Sequence, residues 1–303
     1  MRMEGRGDGR SSFRTIAMLM AIPVAAIAVF FIWNAFNGGE TPKEAWRDFR
    51  GKPPRATPNA TQPVQASASA PVETALPRIT KKARSRHGEI VLIIDDLGFE
   101  GQALDRIMSL DPNINCSILP NGTRVTEFAD ALYARNFEIL CHLPMEPVGG
   151  VSPGANAILT SMPDEQIARL TRENIEAVPH ARGVNNHMGS RATADRRVMQ
   201  TVLRSMPEGL YFIDSRTSGQ SVAGAMAKEM KIRTASRNVF LDDTATENEV
   251  RRQLANLAED AAKNGRAIGI GHPHPSTLNV LEAELPKLRA EGFKFVRASS
   301  VVR

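Results

Sequence analysis

From Glu89 to the C-terminus, short apolar segments typical of β-strands alternate with amphipathic segments typical of helices. Eight strands are predicted: Ile90–Ile94, Ile114–Leu119, Phe137–Cys141, Arg182–Asn185, Leu210–Ile213, Asn238–Leu241, Ala267–Ile270 and Phe293–Val296. Such regular alternation requires a parallel sheet with helices outside it. Seven or eight units within residues 89–303 favour an α/β fold of the (β/α) barrel type. A doubly wound open sheet is the alternative.

The N-terminal region has a different organisation. Residues 15–39 carry no charge, and Ile16–Phe36 is long enough to cross a hydrocarbon core as a helix. A cleavable signal peptide is the alternative, but its apolar part is usually about 7–15 residues long. We predict a cytoplasmic flank at residues 1–14, a transmembrane anchor at 15–39, a disordered Pro/Ala-rich linker at 40–86 and the barrel domain at 87–303.

The distribution of charge indicates which binding partners to expect. The net charge is +5, and much of the excess lies near the apolar segment, where basic residues face anionic lipid or set topology. Aromatic residues make up only 5%, without a basic-aromatic pattern, so no nucleic-acid partner is expected. The membrane is the expected partner of the N-terminal helix. We predict a single-pass protein of a bacterial inner membrane, with its domain in the periplasm.

The two cysteines, Cys116 and Cys141, lie in apolar segments that are predicted to be strands. The simplest interpretation is two buried, small hydrophobic side chains. A disulfide between neighbouring strands stays open, because its geometry cannot be established from sequence.

Polar side chains gather where the predicted strands end. They are Asp95, Asp96, His142, Asn185, Asn186, His187, Asp214, Asp242, Asp243, His272 and His274. The carboxyl ends of parallel barrel strands meet at one mouth, where loops build active sites. Four of the six histidines fall there, whereas His87 and His180 do not and are expected at the surface. The functional site is therefore predicted at this mouth.

Adjacent carboxylates at a buried strand end, such as Asp95 and Asp96, repel each other unless a cation or proton lies between them. Nearby imidazoles favour a divalent, zinc-like metal, which takes His nitrogen and Asp oxygen together. An open position on such an ion lowers the pKa of bound water to about 7. Asp242 and Asp243 have a second interpretation, because an Asp after a strand often caps the next helix.

Four motifs carry a family resemblance: Ile-Ile-Asp-Asp-Leu-Gly at 93–98, Cys-His-Leu-Pro-Met-Glu-Pro at 141–147, Asn-Asn-His-Met-Gly-Ser at 185–190 and Gly-Ile-Gly-His-Pro-His-Pro at 269–275. With them, the chain from Glu89 onward resembles the polysaccharide deacetylases, and in particular their divergent branch. Two positions depart from the general family pattern. Glu146 stands where a second metal histidine would be expected, and Asn185-Asn186-His187-Met188-Gly189-Ser190 replaces an arginine motif.

The resemblance implies a metal-dependent hydrolase that removes N-acetyl groups from a cell-envelope polysaccharide or peptidoglycan-like glycan. It implies Asp95 as catalytic base and His272 as general acid. We expect the metal, zinc being the first candidate, on Asp96, His142 and His187. Glu146, Asn186, Asp214 and His274 are expected to orient ligands or to contact substrate.

Two other functions stay open. One is a catalytically degenerate carbohydrate-binding or regulatory module of the cell envelope, which the two departures favour, since a fold alone does not establish an activity. The other is a different metal hydrolase, such as a phosphoesterase, because Asp/His clusters on barrels serve many reactions.

Overall fold

The structure is a computed structural model that describes residues 88–303. The predicted flank, anchor and linker lie outside these residues, as does His87. Among the helices of the described region, none combines the length and apolarity needed to span a membrane.

Residues 88–303 contain nine strands in one parallel sheet. They are β1 Glu89–Leu97, β2 Asn115–Ile118, β3 Glu138–Met145, β4 Ala181–Met188, β5 Tyr211–Asp214, β6 Thr234–Ser236, β7 Val239–Phe240, β8 Arg266–Gly271 and β9 Lys294–Phe295. All eight predicted strands are present, and the prediction of a parallel sheet is confirmed. The additional strand is β6.

The same residues form seven α-helices between the strands. They are α1 Leu104–Ser109, α2 Val125–Ala134, α3 Asp164–Glu176, α4 Arg196–Ser205, α5 Ala223–Glu229, α6 Glu247–Asn264 and α7 Pro275–Ala290. Only Arg237 and Asn238 separate β6 from β7. Because no helix intervenes there, the described chain has seven strand–helix units.

The strand order shows that the sheet is curled. It runs β6-β5-β4-β3-β2-β1-β8-β7, and β9 pairs with the start of β1. The two end strands, β6 and β7, are nevertheless two residues apart in the chain. Both edges of the sheet therefore meet at one extended segment, and the sheet adopts a curled, barrel-like form. This arrangement excludes the doubly wound open sheet.

Two apolar cores pack against the sheet and determine which way the polar side chains at the strand ends point. Ile90, Leu92 and Ile94 pack in the larger core, which contains the helices, whereas Val91 and Ile93 pack in a smaller core with residues such as Tyr211 and Ile270. Burial on both faces is typical of a parallel strand with helices outside. Since side chains alternate along a strand, Asp95 follows Val91 and Ile93 on the inner face.

Cys116 and Cys141 belong to the larger core, and both are buried free thiols. Burial raises the pKa of each thiol. The prediction of two small buried hydrophobic side chains is confirmed. His180 is exposed at the surface, as expected, where its ring stacks on Tyr133.

Candidate metal centre

Three side chains, one each from β1, β3 and β4, converge at the carboxyl edge of the sheet. Oδ1 of Asp96 lies 3.2 Å from Nε2 of His142 and 2.9 Å from Nδ1 of His187. The two histidine nitrogens are 3.2 Å apart. The structure thus brings together the three residues that were predicted from the sequence to be metal ligands.

The donor set fits a divalent cation. Oδ1 of Asp96 is buried and has no hydrogen-bond partner, although two ring nitrogens lie close to it. Ligand atoms about 2.0–2.1 Å from a tetrahedral zinc ion are about 3.3 Å from one another. The observed separations of 2.9 to 3.2 Å are close to that value. A cation would therefore satisfy the unpaired oxygen and take all three atoms as ligands.

Asn185 links the ligand His142 to Asp95. Its Oδ1 lies 2.9 Å from Nδ1 of His142 and also accepts a hydrogen bond from Ser117. Because an amide oxygen can only accept, Nδ1 of His142 carries the proton and Nε2 is free to face Asp96. Nδ2 of Asn185 donates to both carboxylate oxygens of Asp95, at 2.9 and 3.1 Å. One buried amide thus fixes a ligand and a carboxylate.

Asp242 holds His272 at the edge of the same cluster. Oδ1 of Asp242 lies 2.9 Å from Nδ1 of His272, and Oδ2 accepts from its backbone N–H at 2.6 Å. Thr277 also donates to Oδ2. Nε2 of His272 is left to face the centre, 3.8 Å from Oδ2 of Asp96. Of the two interpretations for Asp242, the structure supports the orientation of a histidine.

The cluster shifts the pKa values of its members. Burial raises the pKa of Asp95, partly offset by His142 and His272. Burial also opposes ionisation of Asp96, but contacts with His142 and His187 hold its pKa well below the usual range. Burial would lower the pKa of His142, yet the Asp95 charge and the Asp96 and Asn185 contacts raise it. Two differently tuned carboxyl groups therefore lie side by side.

His272 has a raised pKa. Burial works against its charged form, but the hydrogen bond to Asp242 and the charges of Asp95 and Asp96 raise its pKa to about 9. The same contact, against the effect of burial, lowers the pKa of Asp242. In this state His272 carries a proton at neutral pH.

Glu146 and Asp214 hold loops instead of orienting an imidazole. Oε2 of Glu146 accepts from the N–H and hydroxyl of Thr160, both at 2.6 Å, and Glu146 lines a cleft of about 610 Å³. Because β3 continues to Met145, residue 146 lies about 13 Å along the strand from His142. Asp214 accepts from the backbone N–H groups of Arg216, in the loop after β5, and of Gly224, at the start of α5.

Asn186 and His274 lie at the rim of the cluster. Asn186 accepts from the backbone N–H of Ser215 and donates to the carbonyl of Met188, so it ties β4 to the end of β5. His274 is exposed at the start of α7, with its ring centroid 5.9 Å from that of His272. For His274, the role to be tested is therefore contact with a substrate.

A curled parallel sheet with outer helices and an Asp/His cluster at its carboxyl edge defines a protein of the (β/α)-barrel class with a candidate metal centre. The model of the divergent polysaccharide deacetylase family matches residues 92–302. The chain belongs to this family.

Relatives extend across most of the chain. It is 33% identical over 216 residues to the uncharacterized protein YibQ of Escherichia coli K12, covering 71% of this chain and 67% of that protein. It is 36% identical over 201 residues to an uncharacterized protein of Haemophilus influenzae, covering 66% and 72%. The crystal structure of the uncharacterized protein ATU2773 from Agrobacterium tumefaciens C58 has the same fold, with a TM-score of 0.69, 24% identity and coverage of 72% and 90%.

Proposed function

We propose that the domain is a metal-dependent hydrolase that removes N-acetyl groups from a cell-envelope polysaccharide or peptidoglycan-like glycan. One observation carries the proposal. The unpaired Oδ1 of Asp96 lies within 3.2 Å of two histidine nitrogens, beside the carboxylate of Asp95 and the imidazole of His272. Membership of the deacetylase family makes an N-acetyl sugar the first substrate class to test.

Asp96, His142 and His187 would hold the cation. A bound zinc or similar ion supplies a Lewis acid for the acetyl carbonyl and lowers the pKa of a water molecule. Asn185 keeps Nδ1 of His142 protonated, so that Nε2 presents its lone pair to the centre. The hydrogen bond on the far side of His142 therefore favours its metal-binding form.

Asp95 and His272 have positions that suit acid–base work. Oδ2 of Asp95 lies 3.5 Å from Nε2 of His142, so the carboxylate borders the place where the ligand atoms converge. We assign it the role of taking the proton of the attacking water. His272, whose pKa is raised to about 9, gives its Nε2 proton to the leaving amine. Water and the amide are thereby converted to acetate and a free amino sugar.

The proposal is tested by metal analysis and product release on the purified full-length chain. We expect one divalent ion per chain and acetate from N-acetylglucosamine oligomers or peptidoglycan fragments. A panel of phosphoesters assayed in parallel should release no phosphate. Phosphate without acetate would favour the phosphoesterase alternative, and glycan binding without any product would favour the non-catalytic module.

Asp242→Asn should lower kcat by roughly 10²-fold, because general acid catalysis is worth about 10²–10⁴-fold. The amide offers one acceptor oxygen instead of two and lacks the charge that keeps His272 protonated. Metal content should stay unchanged, as measured by mass spectrometry. Asp243→Asn is the matched control, since Asp243 is the next residue and is exposed. Equal activity in the two variants would show that Asp242 does not control His272.

The proposal also concerns location. The apolar segment 16–36 and the glycan substrate class are the reasons for placing the domain in the periplasm of a bacterium, tethered to the inner membrane. In that compartment cell-wall glycan is within reach of the barrel mouth.

A further inference from the structure

Asp95 and Asp96 are consecutive in β1, yet both carboxylates approach the same histidine. Oδ2 of Asp95 lies 3.5 Å, and Oδ1 of Asp96 lies 3.2 Å, from Nε2 of His142. Consecutive side chains of a regular strand point to opposite faces of the sheet. A regular β1 that placed Asp95 in the centre would therefore send Asp96 towards the helices.

A distortion of β1 removes this conflict. Ile94 pairs with Cys116 and Leu97 pairs with Ile118, so three steps along β1 correspond to two along β2. The extra residue marks a β-bulge, a feature that redirects side chains. Asp96 has a φ angle of +59°, in the left-handed region that non-glycine residues rarely adopt. This conformation brings the Asp96 carboxylate to the same side as that of Asp95.

Such a conformation persists only where the surroundings hold it. The side-chain amide of Gln102 closes the turn that follows the bulge. Its Nε2 donates to the Asp96 carbonyl at 2.6 Å, and its Oε1 accepts from the backbone N–H groups of Gly98 and Phe99 at 2.9 and 3.0 Å. One side chain thus satisfies three backbone groups around the unusual residue.

The end of β4, the strand that carries His187, contains a similar arrangement. Met188, directly after His187, has a φ angle of +51°. Its carbonyl accepts a hydrogen bond of 2.7 Å from Nδ2 of Asn186. At both strand ends, a side-chain amide is bonded to the carbonyl of a left-handed residue at or next to a candidate ligand.

We infer that Gln102 is a positioning residue that sets the metal affinity of the centre by holding the backbone of Asp96. The inference rests on the proposed metal site and names a residue that contacts only the main chain of one ligand. Loss of the Gln102 donor releases the Asp96 carbonyl, and the bulge relaxes towards a regular strand. The carboxylate then turns away from His142 and His187.

Cobalt binding by the full-length chain tests the inference, because Co²⁺ reports affinity and ligand geometry through its visible absorption. We expect Gln102→Ala and Gln102→Glu to bind Co²⁺ about tenfold or more weakly, as is usual when the support of a ligand is lost. Gln102→Glu has the same shape and keeps the acceptor, but it lacks the N–H for Asp96. At saturation, both variants should show an altered spectrum.

Thr123→Val is the matched control. It removes a hydrogen bond from the Glu100 N–H in the same loop, at 3.3 Å, without touching Asp96. Its Co²⁺ affinity and spectrum should equal those of the wild type. If Gln102→Ala does not fold, the isosteric Gln102→Glu decides the question alone.

Wild-type affinity and spectrum in Gln102→Glu would overturn the inference. Equal weakening by Thr123→Val would also overturn it, because the effect would then belong to the loop as a whole. If the wild-type chain itself binds no Co²⁺, the metal centre is wrong and the role of Gln102 fails with it. That result is distinguishable from a variant that binds as well as the wild type.

Discussion

Replacing Asp96 by alanine should abolish metal binding and reduce acetate release to background. Asp96 provides the oxygen closest to both histidine nitrogens, at 2.9 and 3.2 Å. A site with three protein ligands and one open position has no spare ligand. Loss of even a supporting partner costs about 10–100-fold in metal affinity, so loss of a ligand should exceed that range. Metal per chain and acetate release measure the effect.

Asp243→Ala is the matched control for this change, because Asp243 is exposed. It should keep full metal content and activity. His187→Ala should weaken metal binding in the same way as Asp96→Ala if both residues hold one ion. Full occupancy in Asp96→Ala would contradict the metal centre and, with it, the proposed deacetylase.

The second large effect is expected from Asp95→Asn, which should keep the ion and lose turnover by about 10²–10⁴-fold. An amide has nearly the same shape as the carboxylate and can still accept from Asn185, but it cannot take a proton from water. Burial already disfavours the charged form of Asp95, so a neutral replacement should preserve the fold. The kcat value, metal per chain and thermal midpoint separate these effects.

His272→Ala provides a comparison for Asp95→Asn, since it should also retain the metal while losing activity. A metal-loaded Asp95→Asn protein with wild-type kcat would remove Asp95 from the role of base. Loss of metal in that variant would instead make Asp95 a ligand.

Much of the fold could be predicted from the sequence, because each strand is a distinct apolar segment. The strand β6 escaped detection because Thr234–Ser236 is not apolar. It is nevertheless held by a parallel ladder to β5. The number of strand–helix units was predicted only as seven or eight. The absence of a helix between β6 and β7 cannot be recognised from a sequence pattern.

The convergence of Asp96, His142 and His187 was predictable because the carboxyl ends of parallel strands meet. The hydrogen-bond partners of the site residues could not be predicted. Asn185 reaches Asp95 and His142 only through the register of separate strands, and Asp242 was indistinguishable from a helix cap in the sequence. The length of β3 could not be predicted either. The extension of β3 to Met145 takes Glu146 away from His142.

The position of β1 in the sheet matters while the chain is synthesised from its N-terminus. Its partner β8, paired from Glu89 opposite Arg266 to Ile94 opposite Gly271, is made about 180 residues later. At about 5–20 residues per second, β1 waits on the order of ten to thirty seconds for this partner. Meanwhile the apolar segment Ile90–Ile94 is flanked by Glu89 on one side and Asp95-Asp96 on the other. Flanking charges of this kind discourage edge-to-edge aggregation. The carboxylates of the proposed centre are therefore expected also to protect the nascent chain from aggregation, before there is a site for them to serve.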